Sequence, residues 1–311
     1  LACTFYHCPV KANPSLQALR GAGAGFGIIT EFVMKTYAEL DQVVHFTRSF
    51  SYKNMSEIAG QFHAWQTIIA DKKLDNRFGT EFWLNADKAE VRSTFYGSKD
   101  EFKKSGILEL ISQSDYHLLD EDSAENDLEQ ATWRKTYEWQ TGNLKMYFSD
   151  TPTEFYSRSF GFTKENLLPS AAIKEVFESI YNNGKKSGAL KWFVIFDATG
   201  GEVSRDDRDP TAFAHRDKVM FYQSYALNAF KLSDKVPHFL NKTHEAILSH
   251  LPEGFQYSTY PGYVDPALVN AQQAYWGSNL PRLEQIKAKW DPTDVFHNPQ
   301  SVLPRSEAKS G

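Results

Sequence analysis

Four glycines at alternate positions, Gly21, Gly23, Gly25 and Gly27, run straight into the apolar stretch from Phe26 to Val33. Glycine at that density leaves backbone N–H groups uncovered and able to approach a bulky anion, a phosphate above all. A flexible turn before a strand is the alternative, and the glycines by themselves do not choose between the two. Their order differs from the dinucleotide fingerprint, where glycines follow a strand and open a helix. Here the pattern predicts a strand after them, over 26–33.

Acid–base chemistry has fewer candidates. Asp197 ends the apolar run that begins at Lys191, and alternation puts it on one face with Phe193 and Ile195 rather than with Trp192, Val194 and Phe196. A carboxylate on an otherwise apolar face is costly without a partner. The alternative is a strand-end acid that faces solvent or caps the Gly200-Gly201 turn. Gln223 either points into the same groove or sits on a solvated sheet face. Tyr257 and Tyr260 lie in the polar stretch from Gln256 to Gly262, where a tyrosine is ordinarily packing. With a carboxylate in hydrogen-bond reach, a buried phenol can instead serve as a general base. His215-Arg216 follows an acidic turn, where a structural arginine paired with nearby acids is expected. Ser258 has no nucleophile-elbow context.

The elements that must hold these groups follow from periodicity. Ile58, Phe62, Trp65 and Ile69 predict a helix over 54–73, with Asn54 as its cap. Residues 78–85 and 91–96 alternate at period two around a polar turn and read as a hairpin, Phe78, Thr80, Phe82 and Leu84 on one face, Gly79, Glu81 and Trp83 on the other. A helix over 100–113 and an acidic loop from Asp120 to Asp127 come next. A helix over 169–184 starts at Pro169, strands cover 191–197 and 217–225, and helices cover 233–251 and 271–290, the last closed by Asp291-Pro292. Hairpins with few crossover helices make this an α+β chain, an antiparallel sheet covered by helices on one face.

Bulk properties exclude several classes. A chain of 311 residues can bury a full core, as one large domain or two smaller ones. A net charge of −5 with scattered acids gives nucleic-acid binding no support. No run approaches the roughly 18 to 20 apolar residues of a membrane span. Cys3 and Cys8 both lie at the extreme N-terminus and the histidines are dispersed, so no metal site is expected. The opening residues lack a secretion signal, and a first residue of leucine predicts a fragment or a processed product. Two sequons, Asn54-Met55-Ser56 and Asn241-Lys242-Thr243, are compatible with a secreted glycoprotein.

The stretch from Tyr275 to Ser301 closely resembles the C-terminal signature of the berberine-bridge-enzyme-like flavoproteins of the vanillyl-alcohol-oxidase superfamily. Residues 18–32 resemble that family's flavin-contacting loop and strand. Ala214-His215-Arg216-Asp217 and the strand ending at Asp197 are most similar to fungal oligosaccharide oxidases. The resemblance spans essentially residues 11–304 and implies three parts. Residues 1–36 would be a remnant of a FAD-binding domain and 37–268 a substrate-binding domain with a sheet of about seven strands. Residues 269–311 would return to the FAD domain.

The resemblance also implies chemistry. The cofactor would be FAD, bound by Gly21, Gly23, Gly25, Phe26, Gly27, Ile28, Tyr275, Asn279, Asn298 and Gln300. The family's first half, with its covalent attachment residues, is not in this chain, and neither Cys3 nor Cys8 takes that role. In the sugar oxidases a tyrosine hydrogen-bonded to an aspartate takes the proton from the anomeric hydroxyl. A hydride passes to flavin, O2 reoxidises it, and the product is a lactone. By resemblance the tyrosine is Tyr260 and the aspartate Asp197. A free phenol titrates near pH 10 and is a poor base at neutrality, whereas an adjacent carboxylate can accept its proton as the substrate's proton arrives.

The substrate side would comprise Glu81, Trp83, Phe193, Ile195 and Gln223. Phe193 and Ile195 replace a Trp and a Gln of the sugar oxidases, and Glu81 and Trp83 replace an Arg and a Glu. That loss of sugar contacts opens the substrate to a less polar alcohol or a secondary metabolite. The expected partners are an oligosaccharide or small-molecule substrate and O2, with no nucleic acid and no membrane. The expected state is a monomer, extracellular as in the family. A truncated, non-catalytic product and a secreted sugar-binding module without flavin are the competing expectations.

Overall fold

Alternation decides the sheet. The structure, a computed structural model, describes residues 14–34, 36–114, 128–138, 154–205, 211–228 and 231–305. Cys3, Cys8 and the acidic loop from Asp120 to Asp127 lie outside the described residues. Seven strands, β1 (Val43–Phe50), β2 (Phe78–Asn85), β3 (Ala89–Phe95), β4 (Glu129–Ala131), β5 (Glu154–Thr163), β6 (Lys191–Ala198) and β7 (Lys218–Asn228), form one sheet in the order β4-β1-β3-β2-β6-β7-β5. Every neighbouring pair is antiparallel. The α+β class and the seven-strand antiparallel sheet stand as the sequence implied.

The helices are α1 (Pro14–Ala22), α2 (Met55–Ile69), α3 (Lys99–Lys104), α4 (Ile107–Ser112), α5 (Ser170–Gly184), α6 (Lys235–Leu248), α7 (Ala271–Trp276) and α8 (Leu280–Trp290). Among them α2, α5 and α6 pack on the sheet face that carries Phe82 and Leu84 of β2, Val194 and Phe196 of β6, and Tyr222 of β7, all fully buried. Phe62 of α2 sits at the centre, its ring 5.1 Å from Phe82, 5.0 Å from Phe177 and 4.7 Å from Phe196. The Trp65 indole meets the same face and donates to Thr80 Oγ1 at 3.1 Å, so its one polar atom is satisfied. Asn54 caps α2 as expected, accepting from Glu57 N at 3.2 Å.

Three sequence expectations need correction. No strand forms over 26–33. Helix α1 runs into the glycines, Gly23–Gly25 make a single 3₁₀ turn, and the following residues are irregular, with Ile28, Phe32, Val33 and Met34 exposed. A strand exists only with a ladder partner, and no described strand pairs with this stretch. The helix expected over 100–113 is two helices divided at Gly106, whose φ of +79° a β-carbon disfavours. The helix expected over 271–290 breaks at Gly277, φ +47°, into α7 and α8.

The two sequons differ in setting. Asn54 stands at an exposed helix start, whereas Asn241 of α6 is engaged inside the fold: its Oδ1 accepts from Arg158 Nη1 at 2.7 Å and from the Tyr156 hydroxyl at 3.1 Å, and Thr243 is fully buried.

Two expectations on stability follow. Phe62→Ala leaves a cavity shared by four rings and should lower unfolding free energy by about 3 to 5 kcal/mol, measured by denaturant titration. Burial pushes His244 down to about 3, with Arg158 adding to the effect, and pushes His215 down to about 4. Both are neutral when folded, while the unfolded chain binds protons below 6.5, so stability should fall as pH drops from 6.5 towards 4. Each group contributes up to about 1.4 kcal/mol per pH unit. His244→Gln should flatten that slope.

Candidate active site

The sheet face opposite the helices carries the polar and catalytic types. Register places Glu81 of β2 directly opposite Asp197 of β6, and Trp83 opposite Ile195. On the other side of β6, Ile195 faces Gln223 and Phe193 faces Tyr225 of β7. Glu81, Trp83, Phe193, Ile195 and Gln223 therefore lie side by side around Asp197. The Gln223 amide donates to Asp197 Oδ2. The Tyr263 phenol and the Glu81 carboxyl also stand beside that carboxyl group. Burial, and then the neighbouring Glu81, push the Asp197 carboxyl up to about 7 against the opposing pull of Gln223 and Tyr263. Burial and Asp197 likewise hold the Tyr263 phenol well above its ordinary value. Trp83 is pinned between Phe193, edge-on at 5.4 Å, and the Arg92 guanidinium of β3, 4.1 Å above its ring.

The loop bearing Tyr260 and Tyr263 crosses this face over β5. Gly161 N donates to Ser258 O at 2.8 Å, Ser159 Oγ to Tyr263 O at 2.5 Å, and Ser157 Oγ to Val264 O at 2.5 Å. Its far end is fixed by Asp265, whose side chain is fully inaccessible. Asp265 Oδ2 accepts from Arg158 Nε at 2.9 Å, Ser159 N at 3.2 Å and the Tyr257 hydroxyl at 3.1 Å. Tyr257 is thus a packing residue with a structural hydrogen bond. Between them, Tyr260 lies over Gly262, where an added Cβ would fall within the tyrosine ring's own space.

Beyond Tyr260 opens a cleft of about 560 Å3, with Gly21, Gly23 and Gly25 along one wall and Tyr275, Asn298 and Gln300 on another. Chain segments far apart in sequence are fastened here by Lys287 of α8. Its buried Nζ donates to Gly25 O at 2.8 Å, Phe296 O at 2.7 Å and Asp291 Oδ2 at 2.6 Å. The Tyr275 hydroxyl donates to Gln300 Oε1 at 2.9 Å, and Gln300 Nε2 donates to Asp265 O at 2.8 Å, so the cleft wall is tied to the tyrosine loop. His215, edge-on between Phe213 and Phe221, meets Tyr275 O at 2.9 Å and stands as a buried neutral imidazole. Arg216 bonds Val203 O at 2.8 Å and Thr211 Oγ1 at 3.0 Å; the acids of its turn, 206–209, lie outside the described residues.

Of the residues expected at a cofactor, the cleft therefore gathers Gly21, Gly23, Gly25, Tyr275, Asn298 and Gln300. Phe26 packs against the small core beside the cleft, Gly27 borders open space, Ile28 is exposed, and Asn279 Nδ2 bonds Ala212 O at 3.2 Å. The cleft offers a flat ligand glycine backbone on one wall and the side-chain amides of Asn298 and Gln300 on another. Gly21 has φ +122° and a Cβ there would meet Phe213 N at 3.1 Å, so only glycine fits against that backbone at the cleft wall. Sequence reasoning missed Tyr263, the tyrosine that reaches Asp197. It also missed Arg92 and the Arg158–Asp265 pair. The signal for Tyr263 was present in Tyr263-Val264-Asp265, a second tyrosine three residues past the first, but neither its acid nor Arg158 is near it in sequence.

The sequence model described as "Berberine and berberine like" matches residues 259–303. The chain is 30% identical over 294 residues to the FAD-linked oxidoreductase sorD of Penicillium rubens, which covers 93% of this chain and 60% of that relative. It is 28% identical to the glucooligosaccharide oxidase of Sarocladium strictum, over 97% of this chain and 61% of the relative. The solved xylooligosaccharide oxidase of Myceliophthora thermophila, in complex with xylobiose, superposes with a TM-score of 0.78 at 25% identity, over 94% of this chain and 62% of that one. The chain thus spans about three-fifths of the length of these relatives. A berberine-type C-terminal segment, the glycine-walled cleft that it closes and the seven-stranded sheet beside it make this chain similar to the berberine-bridge-enzyme-like FAD-linked oxidoreductases.

Proposed function

We propose that this chain forms the substrate-binding half of a FAD-linked oxidase acting on an alcohol, with the glycine-walled cleft as one side of the flavin site and dioxygen as the final acceptor. The observation that carries the reading is the placement of Tyr263, whose ring stands edge-on to Phe221, the cross-strand partner of Asp197, on the loop that borders the cleft. Flavin bound there supplies the acceptor for the two electrons that leave the substrate carbon. The chain's own residues manage the proton. Tyr263 Oη takes the hydroxyl proton of the substrate while passing its own to Asp197 Oδ, so no free phenolate accumulates. This assigns the base to Tyr263 in place of Tyr260, which is 38% exposed and lines the cleft instead. Gln223 orients Asp197 from the opposite strand.

The face beside Asp197 favours a substrate with an apolar or aromatic body over a bare oligosaccharide. Phe193 and Ile195 offer no hydrogen bonds, and the Trp83 ring is already stacked under Arg92. Sugar oxidation remains the alternative that the oligosaccharide-oxidase relatives favour.

The chain mixed with FAD and freed of excess should turn yellow and quench flavin fluorescence. A chain that takes up no flavin overturns the reading for this polypeptide. In flavin-loaded protein, Tyr263→Phe should slow flavin reduction by about 10²- to 10⁴-fold with little change in substrate affinity, whereas Tyr260→Phe should retain most of the rate. Near-normal turnover by Tyr263→Phe would remove it from the base role. Asp197 accepts a proton only when ionised, so flavin reduction should accelerate as pH rises through about 7, seen in stopped-flow traces.

A further inference from the structure

Glu81 and Asp197 are direct cross-strand partners on adjacent antiparallel strands, and both side chains stand on the sheet's open face. Opposed residues in such a ladder have Cβ atoms about 4.5 to 5.5 Å apart. A hydrogen bond between two carboxyl groups set opposite one another in this way requires a proton on one of them. Two carboxylates sharing a site cannot both ionise cheaply.

The surroundings decide where the proton sits. On the far side of Glu81, Arg92 Nη1 lies 3.6 Å from Glu81 Oε1. Arg92 is itself held by Glu90, Nη2 to Oε2 at 3.1 Å, and Glu90 also takes Lys88 Nζ at 2.9 Å. The groups that face Asp197 from the other elements are uncharged: Gln223 and Tyr225 from β7, and Tyr263 from the loop, with Tyr260 behind Tyr263. The cation thus stands on Glu81's side of the pair and neutral groups on Asp197's side.

We propose that Glu81 and Asp197 hold one proton between them, and that Glu81, paired with Arg92, keeps that proton on Asp197 in the resting site. Glu81 is a positioning residue that acts through Asp197. The upward push on Asp197, to which Glu81 contributes after burial, agrees with this. No bond other than O–H forms or breaks, and the proton leaves to solvent as the pH rises. The pair rests on this chain alone. Its consequence for catalysis, that the pair must lose its proton before Tyr263 can hand one to Asp197, rests on the function proposed above.

Side-chain carboxyl ¹³C NMR of the chain between pH 3 and 9 tests the pair without flavin. Asp197 and Glu81 should titrate as a coupled pair in two steps, the upper one near pH 7. In Glu81→Gln the upper step should vanish and Asp197 should titrate at least about one pH unit lower. Arg92→Gln, which keeps both carboxyls, should raise the upper step and serves if Glu81→Gln fails to fold. Independent single steps in the wild type, or an Asp197 transition unmoved by either substitution, overturn the proposal. A coupled titration in a chain that takes up no flavin would sink the oxidase reading and leave the pair intact. Flavin uptake with independent titrations would do the reverse.

Discussion

The buried carboxylate of Asp265 ties the site together. Its Oδ2 gathers Arg158 and Tyr257 side chains and the Ser159 amide, while its own backbone meets the Tyr275 hydroxyl and the Gln300 amide. One residue therefore links the edge strand β5, the tyrosine loop and the cleft wall. Breaking a buried ion pair by removing one partner leaves an uncompensated charge at a cost of about 3 to 5 kcal/mol. That cost is what holds Tyr263 over the sheet, since the loop has no regular secondary structure of its own. A side chain on an irregular loop keeps a fixed position only through such an anchor.

A second fastening performs the same service for the cleft. Lys287 is fully buried and directs its ammonium at two backbone carbonyls and Asp291, and one of those carbonyls belongs to Gly25. The glycines cannot hold a shape by themselves, because residues without side chains bring neither packing nor rotamer restraint. Their geometry is imposed from the C-terminal helix, more than two hundred residues later in the chain. The same fact explains why the alternating glycines alone left a phosphate cradle and a flexible turn undecided. What fixes the turn is a lysine that no local pattern connects to it.

The sheet was legible because a period of two is local. Phe82, Leu84, Val194 and Phe196 declare their burial within a few residues, and the helix packed against them declares itself through Ile58, Phe62 and Trp65. Register was legible only in part. Nothing near Asp197 in sequence announces that Glu81 lies opposite, since that pairing depends on two strands more than a hundred residues apart meeting edge to edge. Tyr260 and Tyr263 are not told apart by sequence for a related reason: they stand three apart on one loop, whose path is set by tertiary hydrogen bonds involving Ser157, Ser159 and Asp265. The segment after Gly25 failed in the opposite sense. Its apolar side chains satisfy every local criterion for a strand, but backbone groups pair only where another strand is present.

These constraints bear on how chemistry can change within one framework. The helix-covered face of the sheet is closed to variation, because its rings interlock at centroid distances near 5 Å around Phe62. The open face carries no such restriction: each position there meets its cross-strand partner and whatever lies above it. Placing Phe193, Ile195 and Trp83 on that face costs the core nothing. It alters the polarity around Asp197, and lower polarity raises the penalty for ionising that carboxyl group. Substrate preference and the acid–base setting of Asp197 are therefore coupled through the same few side chains. Arg92 meets both demands at once, lying over Trp83 on the binding face and against Glu81 beside the acid. A substitution at Trp83 or Arg92 must then also alter the surroundings of the Glu81–Asp197 pair.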